Sequence, residues 1–80
     1  MDLTDEEKRF LEIVSGGGRI TYVHIVKGFG MMLTPMAPTF TNRIAQRLLG
    51  SGLVKRTGLL RDSFAITEKG REALQTGKFQ

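Results

Sequence analysis

Eighty residues, 40% of them hydrophobic and 25% charged, make one globular domain spanning 1–80 and leave no room for a second core. The chain has no cysteine, which excludes a disulfide framework and thiolate metal ligands and gives no reason to place it in an oxidising compartment. Its net charge of +4 is unevenly laid out. The acids fall in two blocks, Asp2, Asp5, Glu6, Glu7 and Glu12 at the start and Asp62, Glu68 and Glu72 near the end. Between Ile13 and Arg61 there is none, while Arg19, Lys27, Arg43, Arg47, Lys55, Arg56 and Arg61 give that span a charge of +7 against −3 for the two ends together. Such segregation predicts a basic face for a polyanion, with the acidic ends turned away. The longest uncharged run, 28–42, is interrupted by Pro35 and Pro38 and is too short for a bilayer, and an acidic start is not that of a secretory signal. A cytoplasmic, nucleoid-associated location is expected.

In chain order, the first predicted helix covers 2–15. Thr4 is its N-cap and Glu7, three residues on, its capping-box partner; Asp5, Glu6 and Glu7 suit the positive end of the helix dipole. Leu3, Phe10, Leu11, Ile13 and Val14 supply an apolar stripe, and Gly16-Gly17-Gly18 stops the helix. Arg19-Ile20-Thr21 is a β-branched stub of strand. Thr21 then caps a second helix from Tyr22 to about Phe29, with Val23, Ile25, Val26 and Phe29 available to the core. His24, the only histidine, has no second ligand in sight and is given no chemistry.

Residues 28–38, GFGMMLTPMAP, cannot form a continuous helix. The segment is apolar, and three readings stay open: a long turn packed on the helices, an exposed methionine-rich surface for self-association or a partner, or a small-molecule pocket. Thr39 or Thr41 is expected to cap the third helix, which Pro38 helps to start and Gly50 or Gly52 ends. Thr41, Ile44 and Leu48 fall at 3/4 spacing as its buried stripe, with Leu49 beside them. Asn42, Arg43, Gln46 and Arg47 lie opposite, and the notable property of that face is its residue types. Arginine can bridge O6 and N7 of guanine, asparagine or glutamine N6 and N7 of adenine, and no carboxylate interrupts them.

Residues 52–57, GLVKRT, and 63–66, SFAI, predict a β-hairpin with its turn around 58–62, anchored by Val54, Phe64 and Ile66. Lys55, Arg56 and Arg61 make it basic, whereas Leu59 and Leu60 near the tip are unusual for a wet turn. Thr67 opens a short fourth helix with Ala73 and Leu74 facing inward; Gly77 ends it, and residues 78–80 are expected to fray.

A short basic helix, a glycine stop and a basic hairpin, in that order, are the core of a winged helix-turn-helix. The run RIAQRLLGSGLVKR (43–56), followed by FAITEKGREAL (64–74), resembles winged-helix transcriptional regulators of the MarR and PadR type. The family ends its recognition helix in a Leu-x-x-x-Gly-Leu-Val phrase, here Leu48 to Val54, and leaves the wing through an Ile-Thr-x-x-Gly-Arg phrase, here Ile66 to Arg71. The likeness covers roughly 17–75. It departs from the family in a longer, more apolar segment before the third helix and in lacking the long terminal helices through which those proteins dimerise.

The expected fold is therefore α+β: a small winged helix-turn-helix with a three-helix core, a two- or three-stranded β-wing and a short C-terminal helix. The resemblance implies a sequence-specific regulator binding double-stranded DNA. The helix at about 39–51 would lie in the major groove and present Thr39, Thr41, Asn42, Arg43, Gln46 and Arg47, and the wing at about 53–66 would follow the backbone. Arg19, Lys27, Lys55, Arg56 and Arg61 would meet phosphates. A homodimer on a palindromic site is expected, assembled through the first helix, the methionine segment or the tip leucines. The alternative is a winged helix that binds a protein partner through Met31, Met32, Met36, Leu59 and Leu60. No enzyme, metal or cofactor is expected: the lone histidine has no partner, the middle of the chain has no carboxylate, and Gly16-Gly17-Gly18 lacks the Lys-Ser/Thr of a phosphate loop.

Overall fold

The computed structural model describes residues 2–78. Among them are four helices and one antiparallel hairpin: α1 (Asp5–Ser15), α2 (Tyr22–Gly28), α3 (Ala37–Gly50), β1 (Val54–Thr57), β2 (Ser63–Ile66) and α4 (Glu68–Thr76). None of these helices is long and apolar enough to cross a membrane. The domain is α+β.

Each helix end follows from residues that satisfy its orphan backbone groups. At the start of α1, Thr4 Oγ1 accepts the Glu7 N–H at 3.1 Å and Glu7 Oε1 accepts the Thr4 N–H at 2.9 Å, so the expected capping box is present. Helix α2 begins after Thr21, whose N–H is accepted by His24 Nδ1 at 3.1 Å; the sole histidine serves a helix cap. Helices α2 and α3 both end in a Schellman arrangement. In α3 the Leu53 N–H reaches Leu48 O at 2.9 Å and the Gly52 N–H reaches Leu49 O at 3.1 Å, with Gly52 at φ +76°. In α2 the Met31 N–H reaches Val26 O at 3.1 Å and the Gly30 N–H reaches Lys27 O at 2.9 Å, with Gly30 at φ +73°. Gly52 rather than Gly50 is thus the stop in the LLGSGLV phrase, and it turns Leu53 back over Leu48, where both are fully buried.

The start of α3 differs from expectation. Neither Thr39 nor Thr41 is its cap: the helix begins at Ala37 with Met36 in the cap position. Pro38 sits in the first turn, where its missing N–H has no helical partner to lose. The Ala37 N–H turns back to Thr34 O at 2.9 Å, so the turn that launches the helix lies upstream of both threonines. The helix gains a turn, and Thr41 falls inside it.

The core is shared by all elements. Phe10, Leu11 and Val14 of α1, Ile25 of α2, Ile44, Ala45 and Leu48 of α3, Leu53, Val54, Phe64 and Ala73 form one buried cluster. Phe10 meets Phe64 edge to face, ring centroids 5.4 Å apart, which ties α1 to the hairpin. The hairpin register pairs Val54 with Ile66, Arg56 with Phe64 and Thr57 with Ser63, leaving 58–62 as the tip. Ile20 adds a single antiparallel bridge to Phe64, with the Phe64 N–H on Ile20 O at 2.8 Å, so the expected strand stub lies on the far side of β2 from β1. Thr67 clasps hairpin and α4 together: its N–H and hydroxyl both reach the 52–53 backbone while its Oγ1 accepts the Gly70 N–H at 3.0 Å.

The two ends of the domain meet. The Leu3 N–H donates to Gly77 O at 2.9 Å and Asp2 bridges Lys78, so α1 starts at Asp5 rather than at Asp2, and Lys78 is paired rather than frayed. Phe79 and Gln80, the rest of the expected frayed tail, lie outside the described residues.

Candidate nucleic-acid interface

The packing of α3 sorts the candidate residues into three groups. Ile44, Ala45 and Leu48 turn to the core, together with Thr41, which is 1% exposed. Thr41 therefore cannot touch a base edge and leaves the base-reading set; helical spacing from Ile44 and Leu48 puts it on the buried stripe. Thr39, Asn42, Arg43 and Gln46 are exposed. They form a strip along the outer face of α3 with no carboxylate among its own residues.

Arg47 and Arg43 stand on the edge of α3 that faces α1. Arg47 Nε lies 3.0 Å from Glu7 Oε2, and its guanidinium also donates to the Asp2 carbonyl at 2.8 Å. Arg43 meets Glu6 at 3.1 Å and stands over the Phe40 ring at 5.6 Å. The expectation that the acidic N-terminal block turns away from the basic face is therefore wrong at Glu6 and Glu7. Packing α1 across α3 brings them to the two arginines, with Thr4 and Ile44 completing a polar cleft of about 200 Å³. The two pairs differ in kind. Glu7 and Arg47 are 6% and 38% exposed as side chains, Glu6 and Arg43 48% and 61%. The first is a shielded fastening of α1 to α3. The second is a surface pair of the sort that contributes about 0–1 kcal/mol and yields to competing partners.

The hairpin continues the strip. Arg56 lies over Phe64 at 5.1 Å and donates to Asn42 Oδ1 at 3.4 Å, so helix face and hairpin meet at that pair. Lys55 and Arg61 are exposed, the latter at φ +54° in the tip. Arg19 joins the hairpin from the other side: it pairs with Asp62 at 2.9 Å and donates to Ser63 Oγ at 3.2 Å. The Arg19 guanidinium holds the Asp62 carboxyl below its ordinary range, chiefly through this hydrogen bond. Lys27 is exposed in the last turn of α2, on a different element from the hairpin cations. Of the five expected backbone cations, Lys55, Arg56 and Arg61 thus lie on the hairpin, with Lys55 and Arg56 on opposite faces of β1, Arg19 is shared with an acid, and Lys27 stands on α2.

The methionine segment is exposed rather than packed as a turn on the helices. Met31, Met32, Leu33 and Met36 are all on the surface, Met32 at 83%. Its flanks enter the fold through buried Ala37 and through Phe29, which meets Phe40 edge to face at 5.3 Å, and Met31, Met32 and Met36 border a small hollow with Val26 and Phe40. At the hairpin tip Leu59 is fully exposed and Leu60 82% exposed; with Arg19, Thr57, Gly58 and Ser63 they border an open hollow of about 440 Å³.

Comparison with known proteins bears on the fold. No protein-family model matches the chain. No curated protein matches it. Among solved structures, a protein with unknown function from Listeria innocua Clip11262 is 26% identical with a TM-score of 0.72, the match covering 94% of this chain and 50% of that one. RV1404 from Mycobacterium tuberculosis is 27% identical with a TM-score of 0.73, the match covering 91% of this chain and 49% of that one. The chain spans about half the length of these structures.

Proposed function

We propose that this domain is a winged helix-turn-helix of the MarR/PadR kind that binds double-stranded DNA in sequence-specific fashion as a transcriptional regulator. Helix α3 enters the major groove and the hairpin follows the backbone. The observation that carries this reading is the strip of Thr39, Asn42, Arg43 and Gln46, which has no carboxylate among its own residues and is continuous through Asn42 and Arg56 with the basic hairpin. Asn42, Arg43 and Gln46 are the base readers, Thr39 approaches at the start of the helix, and Lys55, Arg56 and Arg61 neutralise phosphates. Arg47 holds α3 against α1 and acts on DNA only by positioning that helix. Arg43 exchanges Glu6 for DNA at small cost because both partners are exposed. A single module with three to five phosphate contacts binds weakly at physiological salt; a homodimer on a palindrome roughly doubles the contacts. A cytoplasmic, nucleoid-associated location goes with this role.

Selection from random duplexes, followed by gel shift at two salt concentrations, tests the reading. Binding is expected with a slope of log K against log salt of roughly −3 to −4.5 per subunit. The Arg43→Ala, Gln46→Ala double variant should lose about 1–3 kcal/mol per base contact. If it binds the selected duplex with unchanged affinity and unchanged base preference, α3 does not read DNA.

A second reading rests on the exposed Met31, Met32, Leu33 and Met36, whose apolar surface suits self-association or a protein partner. Met32→Ser abolishing association while leaving duplex binding intact would favour it.

A further inference from the structure

Arg56 is a hairpin cation with a fixed place. It is half-buried, whereas Lys55 and Arg61 are exposed. Its partner across the two strands is Phe64, which is buried and meets Phe10 edge to face, so that ring belongs to the core. The Arg56 guanidinium lies over the ring at 5.1 Å, and from there its Nη2 reaches Asn42 Oδ1 at 3.4 Å. Arginine suits such a position because its planar group covers an aromatic face while donating from its edge.

The contact to Asn42 is long for a hydrogen bond, but charge fixes its direction. A guanidinium has five N–H donors and no acceptor, so Asn42 meets Arg56 with its oxygen. The flipped amide would set a partly positive NH2 against the cation. With Oδ1 turned to Arg56, the donor end of the amide, Nδ2, is the end left for another partner. We infer that Arg56 is a positioning residue that sets the base preference of Asn42: it holds the amide as a donor, so that Asn42 reads guanine and not adenine. The inference rests on the DNA-binding reading above and adds, beside any phosphate contact of Arg56, which base one side chain of α3 takes.

The major-groove edges of the bases decide between the two. Adenine offers the N7 acceptor beside the N6 donor, so an asparagine that pairs with it needs amide nitrogen and amide oxygen together. Asn42 has its oxygen on Arg56. A carbonyl oxygen keeps a second lone pair, but an adenine N6–H using it would approach beside the guanidinium, donor against donor. Guanine presents two neighbouring acceptors, N7 and O6, and both suit the NH2 group. Cytosine offers a donor, and thymine one acceptor with a methyl group next to it.

Selection from random duplexes by the wild type, Asn42→Ala and Arg56→Met tests the assignment. Asn42 is exposed, so its truncation leaves the core alone and marks the base pair that it reads. Arg56→Met keeps an unbranched apolar stem over Phe64 and removes the charge and the donors. The wild type is expected to prefer guanine at the marked pair by about fivefold or more. In Arg56→Met the amide is free to turn, so the guanine preference should be lost at that one pair, adenine gaining most, while the other pairs keep theirs. An even loss of affinity across all sequences, with a salt slope shallower by about 0.9 and the guanine preference intact, would make Arg56 a phosphate contact only and overturn the inference. Adenine preferred by the wild type at the marked pair, or no pair altered in Asn42→Ala, also overturns it while DNA binding by the rest of α3 stands. Both results are read without Arg56→Met and so hold even if that variant does not fold. Failure of the wild type to bind any duplex refutes the DNA reading itself, and the role of Arg56 with it.

Discussion

Truncating Glu7 to alanine should destabilise the domain by about 2–3 kcal/mol, a large effect for one side chain in an 80-residue chain. Two losses combine. The Thr4 N–H loses its acceptor at 2.9 Å, and the loss of a cap contact costs about 0.5–2 kcal/mol. Arg47 also loses the carboxylate 3.0 Å from its Nε. Breaking a fully buried pair costs about 3–5 kcal/mol and an exposed one about 0–1. Glu7 is nearly buried, but Arg47 is 38% exposed and keeps the Asp2 carbonyl, so this part lies near the lower end, about 1–1.5 kcal/mol. In a domain of this size the total corresponds to a melting temperature lower by about 10–20 °C. Urea unfolding of Glu7→Ala, Arg47→Ala and the double variant, fitted with a common m-value, isolates the coupling. About 1 kcal/mol is expected, persisting at about 0.5 M salt because Glu7 is shielded from solvent. The equivalent Glu6–Arg43 cycle should give under about 0.5 kcal/mol and vanish in salt. If the Glu7 and Arg47 effects add to within about 0.3 kcal/mol, the pair does not fasten α1 to α3.

Three further outcomes are expected. Thr41 Oγ1 is buried with no hydrogen-bond partner, so Thr41→Val should stabilise the domain by about 1 kcal/mol in urea unfolding and leave duplex affinity unchanged. At Gly70 an added Cβ would run into the Leu53 carbonyl, so Gly70→Ala, which would gain about 1 kcal/mol in an open helix, should instead destabilise by about 1–3 kcal/mol. The Asp62 carboxyl titrates below its ordinary value of 3.8 because Arg19 stabilises the charged form. A depressed folded-state pKa means that its contribution to stability is present above about pH 4 and is lost as pH falls through the folded value. Carboxyl NMR titration should show Asp62 moving up towards 3.8 in Arg19→Ala.

Local chemistry was the legible part of this chain. The Thr4–Glu7 box, the caps at Thr21 and Thr67 and the anchoring of Val54 and Phe64 depend on residues close in sequence or on strand alternation, and each is present in the structure. The start of α3 was misplaced because Pro38 tolerates the first helical turn from inside it, so the true start lay before the threonines that look like caps. Thr41 illustrates a conflict between two local signals, a polar side chain and a core spacing, and burial decided for the spacing. The charge layout failed for another reason. Counting along the chain separates Glu6 and Glu7 from Arg43 and Arg47, and only the packing of α1 on α3 joins residues about 40 positions apart. The capping role of Glu7 was visible, but its second carboxylate oxygen had a partner that no local pattern could name. Gly70 belonged to a phrase used for its family likeness, and its physical reason, the approach of α4 to the Leu53 backbone, appears only in three dimensions.

The hydrogen bond from Leu3 to Gly77 has a consequence for the chain's connectivity. With residues 2 and 78 side by side, a linker of a few residues could join them, and the exposed five-residue tip at 58–62 could be opened instead. Such a circular permutant would keep all four helices intact and turn the two strands of the hairpin into its new ends.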